Sequence, residues 1–299
     1  MSEYTTITHR PNIDDVKKLL EEAINLESYT QLRERATQVL EQPSRSRRLG
    51  VAGDVKRFFL AEVESHGVGA CDRTRCEASP VCSIGTHGTA DDGEKELNPS
   101  SSALVKLWNA VSDEKTRREL LYTEFVRHVK IADAFVRGVL FPKLSELTEE
   151  LFPTDNANVR REDVDELLSA KLEKYTSESF RKTRNHLLGM LGQFGMLQAH
   201  GSGFSRTWTV RHYEPTVVGW LYAIYKEFDE LPERKRAESY FANESSTTRR
   251  FLLSPDVLRY VMRKALEEGH LDKEIFGGNP VYRLPYPDTN TFIKEFIDG

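Results

Sequence analysis

The chain has 299 residues, 38% hydrophobic and 30% charged, with a net charge of −5. That length can bury two or three modest cores, and that balance excludes disordered, collagenous and membrane-spanning classes. No run reaches the roughly 20 apolar residues of a membrane helix.

The opening MSEYTTITHRPNIDD has neither the basic nor the apolar region of a signal peptide, so a cytoplasmic protein is expected. Three cysteines, an odd number, do not make a disulfide framework. Asn12 caps a predicted helix striped by Ile13, Val16, Leu20, Ala23 and Ile24 at the 3.6-residue period. A second helix carries Leu32, Ala36, Val39 and Leu40 and stops before Pro43. A third, with Val51, Val55, Phe58, Phe59 and Val63 on one face, ends near Gly67, with Arg45, Arg47 and Arg48 just ahead of it.

Residues 66–102 turn Gly/Ser/Thr-rich and lose any period, which reads as a long loop or insertion. It holds His66, Cys71, Cys76, Cys82 and His87. Thiolates and imidazoles suit zinc or an iron–sulfur cluster, but no C-x2-C knuckle and no fourth cysteine is present. The loop is therefore read as metal-free with incidental thiols. Helical pattern resumes at Ala103, and Ser112-Asp113-Glu114 starts a long helix expected to run to Pro142.

The most informative stretch follows. Val164, Leu167, Leu168 and Leu172 mark one amphipathic helix. Thr176 or Ser177 caps a second, holding Phe180, Leu187, Leu188, Leu191 and Phe194, with Gly195 at its C′ position. A hairpin comes next: Met196–His200, the turn Gly201-Ser202-Gly203, then Thr207–His212. Helix, turn, helix, hairpin is winged-helix order. From Ser179 to Tyr213 there is no Asp or Glu, yet Arg181, Lys182, Arg184, Arg206 and Arg211 are present. In a winged helix the second helix enters the major groove, so Arg181, Lys182, Arg184, Asn185 and His186 are the expected DNA contacts, with Arg206 and Arg211 from the hairpin. The competing interpretation is a solvated face on a protein–protein winged helix.

Beyond it, Pro215 opens a helix through Phe228, and Ser254-Pro255-Asp256 starts another that Gly269 closes. A second hairpin, His270–Phe276 and Pro280–Leu284, precedes a short C-terminal helix around Phe292 and Phe296. The expected fold is mainly α and multi-helical, with a winged-helix-like segment and a second, small C-terminal helix–hairpin unit. The expected divisions are 1–65, 66–102, 103–158, 159–213 and 214–299. Trp108, Trp208 and Trp220 fall on core stripes, and no P-loop, H-E-x-x-H or G-x-S-x-G is present. No enzyme, cofactor, membrane partner or small-molecule substrate is expected.

The segments LLYTEFVRHVKIADAFVRGVLFPKL, EDVDELLSAKLEKYTSESFRKTRNHLLGMLGQFGML and FLLSPDVLRYVMRKALEEGHLD, in that order, resemble the BrxA family of BREX bacteriophage-defence systems. RSRRLGVAGDVKRFFLAEV extends the likeness weakly toward the N-terminus, and the cysteine insertion and length depart from it. The resemblance implies an all-helical, winged-helix-containing accessory protein that binds double-stranded DNA without catalysis, alongside other defence subunits. By position it places Arg181–His186 at the DNA. A protein–protein adaptor and a winged-helix transcriptional regulator are the alternatives.

Overall fold

The computed structural model describes residues 12–42, 44–60, 98–147, 156–172, 176–202, 206–231 and 235–298, the side chain of Phe58 aside. The cysteine loop, with His66, Cys71, Cys76, Cys82 and His87, lies outside the described residues.

The N-terminal helices form where the apolar period and caps coincide. In α1 (Ile13–Ala23) the Asn12 side chain accepts from Asp14 N at 3.2 Å, and Val16, Leu19, Leu20 and Ala23 are fully buried. Ser28 caps α2 (Tyr29–Val39) and Ser44 caps α3 (Arg45–Val55) in the same way. Arg45, Arg47 and Arg48 therefore lie inside α3, not ahead of it: Ser44 supplies a cap that an apolar stripe alone does not reveal. A π-helical turn, Lys56–Leu60, extends α3.

After α4 (Ala103–Ala110) comes α5 (Glu114–His128), where Asp113, not Ser112, is the cap, accepting from both the N and Oγ1 of Thr116 at 2.7 Å. Every residue from Glu119 to Val126 is buried, so α5 is central. The single long helix expected up to Pro142 does not exist. The backbone breaks at Val129 (φ −102°, ψ 83°), α6 (Lys130–Phe135) restarts it, and a π-helical turn Val136–Leu140 leads into α7 (Phe141–Leu147). Pro142 lies in the first turn of α7 and ends nothing. A proline lacks a donor and collides with the carbonyl four residues back, and the wider π turn before it relieves both conflicts.

A first three-stranded unit follows: β1 (Asn156–Val159), α8 (Arg161–Lys171), α9 (Ser177–Gln193), β2 (Gln198–His200) and β3 (Thr207–Arg211). Its antiparallel order is β1-β3-β2, with Ala157 opposite Val210, and both Val159 and Ala199 opposite Trp208. β1 straddles the boundary expected at 158, so the unit begins earlier than the helical pattern indicates. α10 (Val217–Glu230) then runs through the core, buried from Gly219 to Tyr225.

The C-terminal region has a related order with one more helix: β4 (Lys235–Ala237), α11 (Glu238–Asn243), α12 (Ser246–Arg250), α13 (Pro255–Glu267), β5 (Asp272–Phe276) and β6 (Asn279–Arg283). Its sheet is β4-β6-β5, so in both units the second strand of the hairpin is central. Gly277 and Gly278, at φ 59° and 85°, form the two-residue turn, a conformation that side chains with a Cβ resist. α14 (Thr289–Asp298) closes the fold, with Phe292 stacked on Tyr225 at 4.5 Å and 7°. The protein is thus mainly helical with two small antiparallel sheets. Among the described residues no helix is long and apolar enough to cross a membrane.

Candidate nucleic-acid interface

The first unit is held by α9, which the sequence shapes at both ends. The Thr176 side chain accepts from Ser179 N at 3.3 Å. At the other end Gly195 (φ 80°) reverses the chain, and Met196 N donates to Leu191 O at 2.9 Å, which fits a glycine-terminated helix. Thr183, Leu187, Leu188, Met190 and Leu191 are buried, and Phe194 packs against Tyr122 and Phe125 at 5.6 and 5.3 Å. Burial of that stripe fixes which residues face outward.

Those outward residues are the expected ones in part. Arg181, Lys182 and Asn185 are exposed, while Arg184 and His186 are half-buried. Arg206 and Arg211, before and at the end of β3, are also exposed. Between the C-terminal half of α9 and the β2–β3 hairpin runs a groove of about 600 Å³, into which Asn185, Arg161 and Arg206 converge over Leu188 and Trp208. The Arg206 guanidinium lies 6.0 Å from the Trp208 ring centre, and His200 Nε2 and Thr209 Oγ1 meet across the strands at 2.9 Å.

The pairing of these cations was not legible from the acid-free run. Arg184 Nη1 donates to Asp165 Oδ2 of α8 at 2.6 Å, and Lys182 Nζ reaches Glu178 Oε1 at 2.8 Å. α8 carries four carboxylates, Glu162, Asp163, Asp165 and Glu166, of which Asp165 reaches α9. Lys143 takes up Asp163 at 3.1 Å. Among the described residues, Arg181, Arg206 and Arg211 make no ion pair with a carboxylate. The charge segregation is real along the chain and weaker in space, because one partner acid, Asp165, comes from α8 and the other, Glu178, lies in the first turn of α9, just ahead of the run.

No family model, curated protein or solved structure matches the chain.

Three buried carboxylates hold the helices around α5 and α10 together, Glu119 alone reaching the first unit, and none fell on a recognised motif. Glu119 of α5 accepts from Tyr213 Oη at 2.9 Å and from Thr216 N at 3.0 Å, at the N-terminus of α10. Burial pushes its carboxyl up to about 7, against the lowering effect of those hydrogen bonds. A Cβ on Gly219 would come within 2.1 Å of Glu119 Oε2, so only glycine fits there. Glu124 accepts from Tyr222 Oη, with Arg127 Nη1 at 3.1 Å and His128 Nε2 at 3.2 Å. Burial alone would raise its carboxyl, but Lys226, Arg127 and His128 hold it below the usual range. Glu227 accepts from Ser246 N at 3.0 Å and Thr247 N at 2.9 Å, ordering the turn into α12. The only sequence signal for these was an acid interrupting an apolar stripe. Each is saturated by protein donors, which makes it structural. Among the described residues no cluster of His, Cys, Asp and Glu is disposed to hold a metal.

Proposed function

We propose that residues 156–213 form a winged helix that binds duplex DNA without catalysis, as an accessory component of a BREX-type phage-defence system. The observation that carries the DNA reading is one surface. Arg181, Lys182 and Asn185 are exposed on α9, and Asn185 shares the groove beside the hairpin with Arg206. An order of strand, two helices and hairpin offers α9 to a major groove and the hairpin to the flanking backbone. Arginine can pair with guanine and asparagine with adenine there. The BREX assignment rests on the BrxA-like segments of the sequence alone.

A second reading has its own observation: the four carboxylates of α8 and the Arg184–Asp165 pair suit a protein partner better than a phosphate backbone. The test is Arg181→Glu with Arg206→Glu, two exposed residues whose reversal should leave melting nearly unchanged. Duplex binding by fluorescence anisotropy should disappear in that variant. Wild-type binding by the folded variant at moderate salt would transfer support to the adaptor reading.

A further inference from the structure

A cleft of about 410 Å³, a size typical of small-ligand sites, is lined by α7 and the π-helical turn before it, by α11, α12 and the start of α13, and by His212. Its lining includes the apolar Phe141 and Pro142 of α7 with Leu253 and Leu258, and the cationic or titratable Arg137, Arg249 and His212. No carboxylate lines it.

The cations are only partly neutralised. Arg137 Nε donates to Asp133 Oδ1 at 2.8 Å, and Arg250 Nε donates to the same oxygen at 2.8 Å, so one carboxylate serves two guanidiniums. Arg249 donates to the Asn243 carbonyl and, among the described residues, pairs with no carboxylate. His212 Nδ1 lies 2.8 Å from Leu252 O, which fixes its ring at the cleft.

Two backbone irregularities border the same space. Leu252 is the one described non-glycine residue with positive φ, at 55°, although its side chain is fully buried. The π-helical turn Val136–Leu140 contributes Arg137. Strained residues and π turns concentrate at ligand sites, where the distortion aims particular side chains.

We propose that this cleft binds a phosphate monoester carried on a flat apolar body, of mononucleotide size. The arginines hold the phosphate by charge-assisted hydrogen bonds, and Phe141, Pro142 and Leu258 cover the apolar body. The site is separate from the outward face of α9. Its ligand chemistry has two sources, a free mononucleotide or the 5′-phosphorylated end of a DNA strand.

The test is isothermal titration of the full chain with adenosine 5′-monophosphate, with adenosine, with inorganic phosphate, and with a hairpin duplex bearing or lacking a 5′-phosphate. The monophosphate should bind saturably at one site and adenosine should not. Arg249→Gln should weaken it about tenfold, as expected for one charge-assisted hydrogen bond. Ala242→Trp, an exposed lining residue whose enlargement fills the mouth, should abolish it without lowering the melting temperature. Arg181→Glu with Arg206→Glu should leave it intact, which separates this site from the proposed DNA face. Preference for the phosphorylated duplex, sensitive to Arg249→Gln, would identify a DNA end as the source. No saturable binding of monophosphate or phosphorylated duplex overturns the proposal. So does binding untouched by Arg249→Gln and Ala242→Trp, or binding lost with the α9 reversal.

Discussion

Asp165→Asn should make the protein bind DNA more tightly and more salt-dependently. In the wild type Asp165 Oδ2 holds Arg184 Nη1 at 2.6 Å, with the arginine side chain 19% exposed and the aspartate 43%. A phosphate approaching Arg184 must compete with that carboxylate. Among the described residues Arg181, Arg206 and Arg211 make no ion pair with a carboxylate, which gives about three phosphate contacts. Counterion release contributes a log–log salt slope of about −0.9 per contact, hence roughly −2.7 for the wild type and −3.6 once Arg184 is freed. Between roughly 50 and 200 mM salt the wild type should lose affinity about 40-fold and the variant about 150-fold. Fluorescence anisotropy with a random duplex across that range reads both slopes. The lost pair is half-exposed and should change stability by only about 0–1 kcal/mol. An unchanged or shallower slope in a folded Asp165→Asn protein would show that Arg184 meets no phosphate. A flat salt dependence in both proteins would remove α9 as a DNA surface.

The raised Glu119 carboxyl makes stability pH-dependent. Its folded value near 7 exceeds the ordinary 4.5, so the folded state binds the extra proton and stability falls as pH rises from about 4.5 to 7. The effect is on the order of 3 kcal/mol, and chemical denaturation of Glu119→Gln should show a flatter profile over that window. A wild-type curve without that decline would count against this reading of Glu119. Gly219→Ala forces a methyl group into Glu119 Oε2 and should cost about 1–3 kcal/mol, read as a lowered melting temperature. Wild-type melting would mean that α5 and α10 can separate freely at this point.

Much of the architecture was legible because its signals are local. The stripe of α9, its Thr176 cap and its Gly195 terminus all lie within one segment, as does the Ser254-Pro255-Asp256 start of α13. β1 and β4 were not legible. They span four and three residues, too short for a period, and exist because the central strands β3 and β6 each offer a second edge. The break at Val129 and the π turn that admits Pro142 depend on packing against other helices, which periodicity does not encode. The candidate site was half legible. The exposed cations follow from the helical period, whereas the Arg184–Asp165 pair needs the crossing of α8 and α9. Glu119, Glu124 and Glu227 were hidden for the same reason. A buried acid is recognisable only by its donors, and Tyr213, Tyr222 and Ser246 come from distant parts of the chain.

The aromatic packing around Tyr122 settles whether the first unit is a detachable module. Phe194, at the end of α9, rests on Tyr122, and Phe251, from the second unit, meets both Tyr122 at 5.4 Å and Tyr213 at 6.0 Å. A fragment of residues 156–213 would carry off Phe194 and leave Tyr122 and Phe125 behind. The same excision would strip Tyr213 of Phe251 and part its hydroxyl from Glu119. Shortened proteins of this kind should precipitate or melt early, and their failure to bind DNA would then report collapse, not a missing contact. The unit is inherited, and must be engineered, with the whole chain around it.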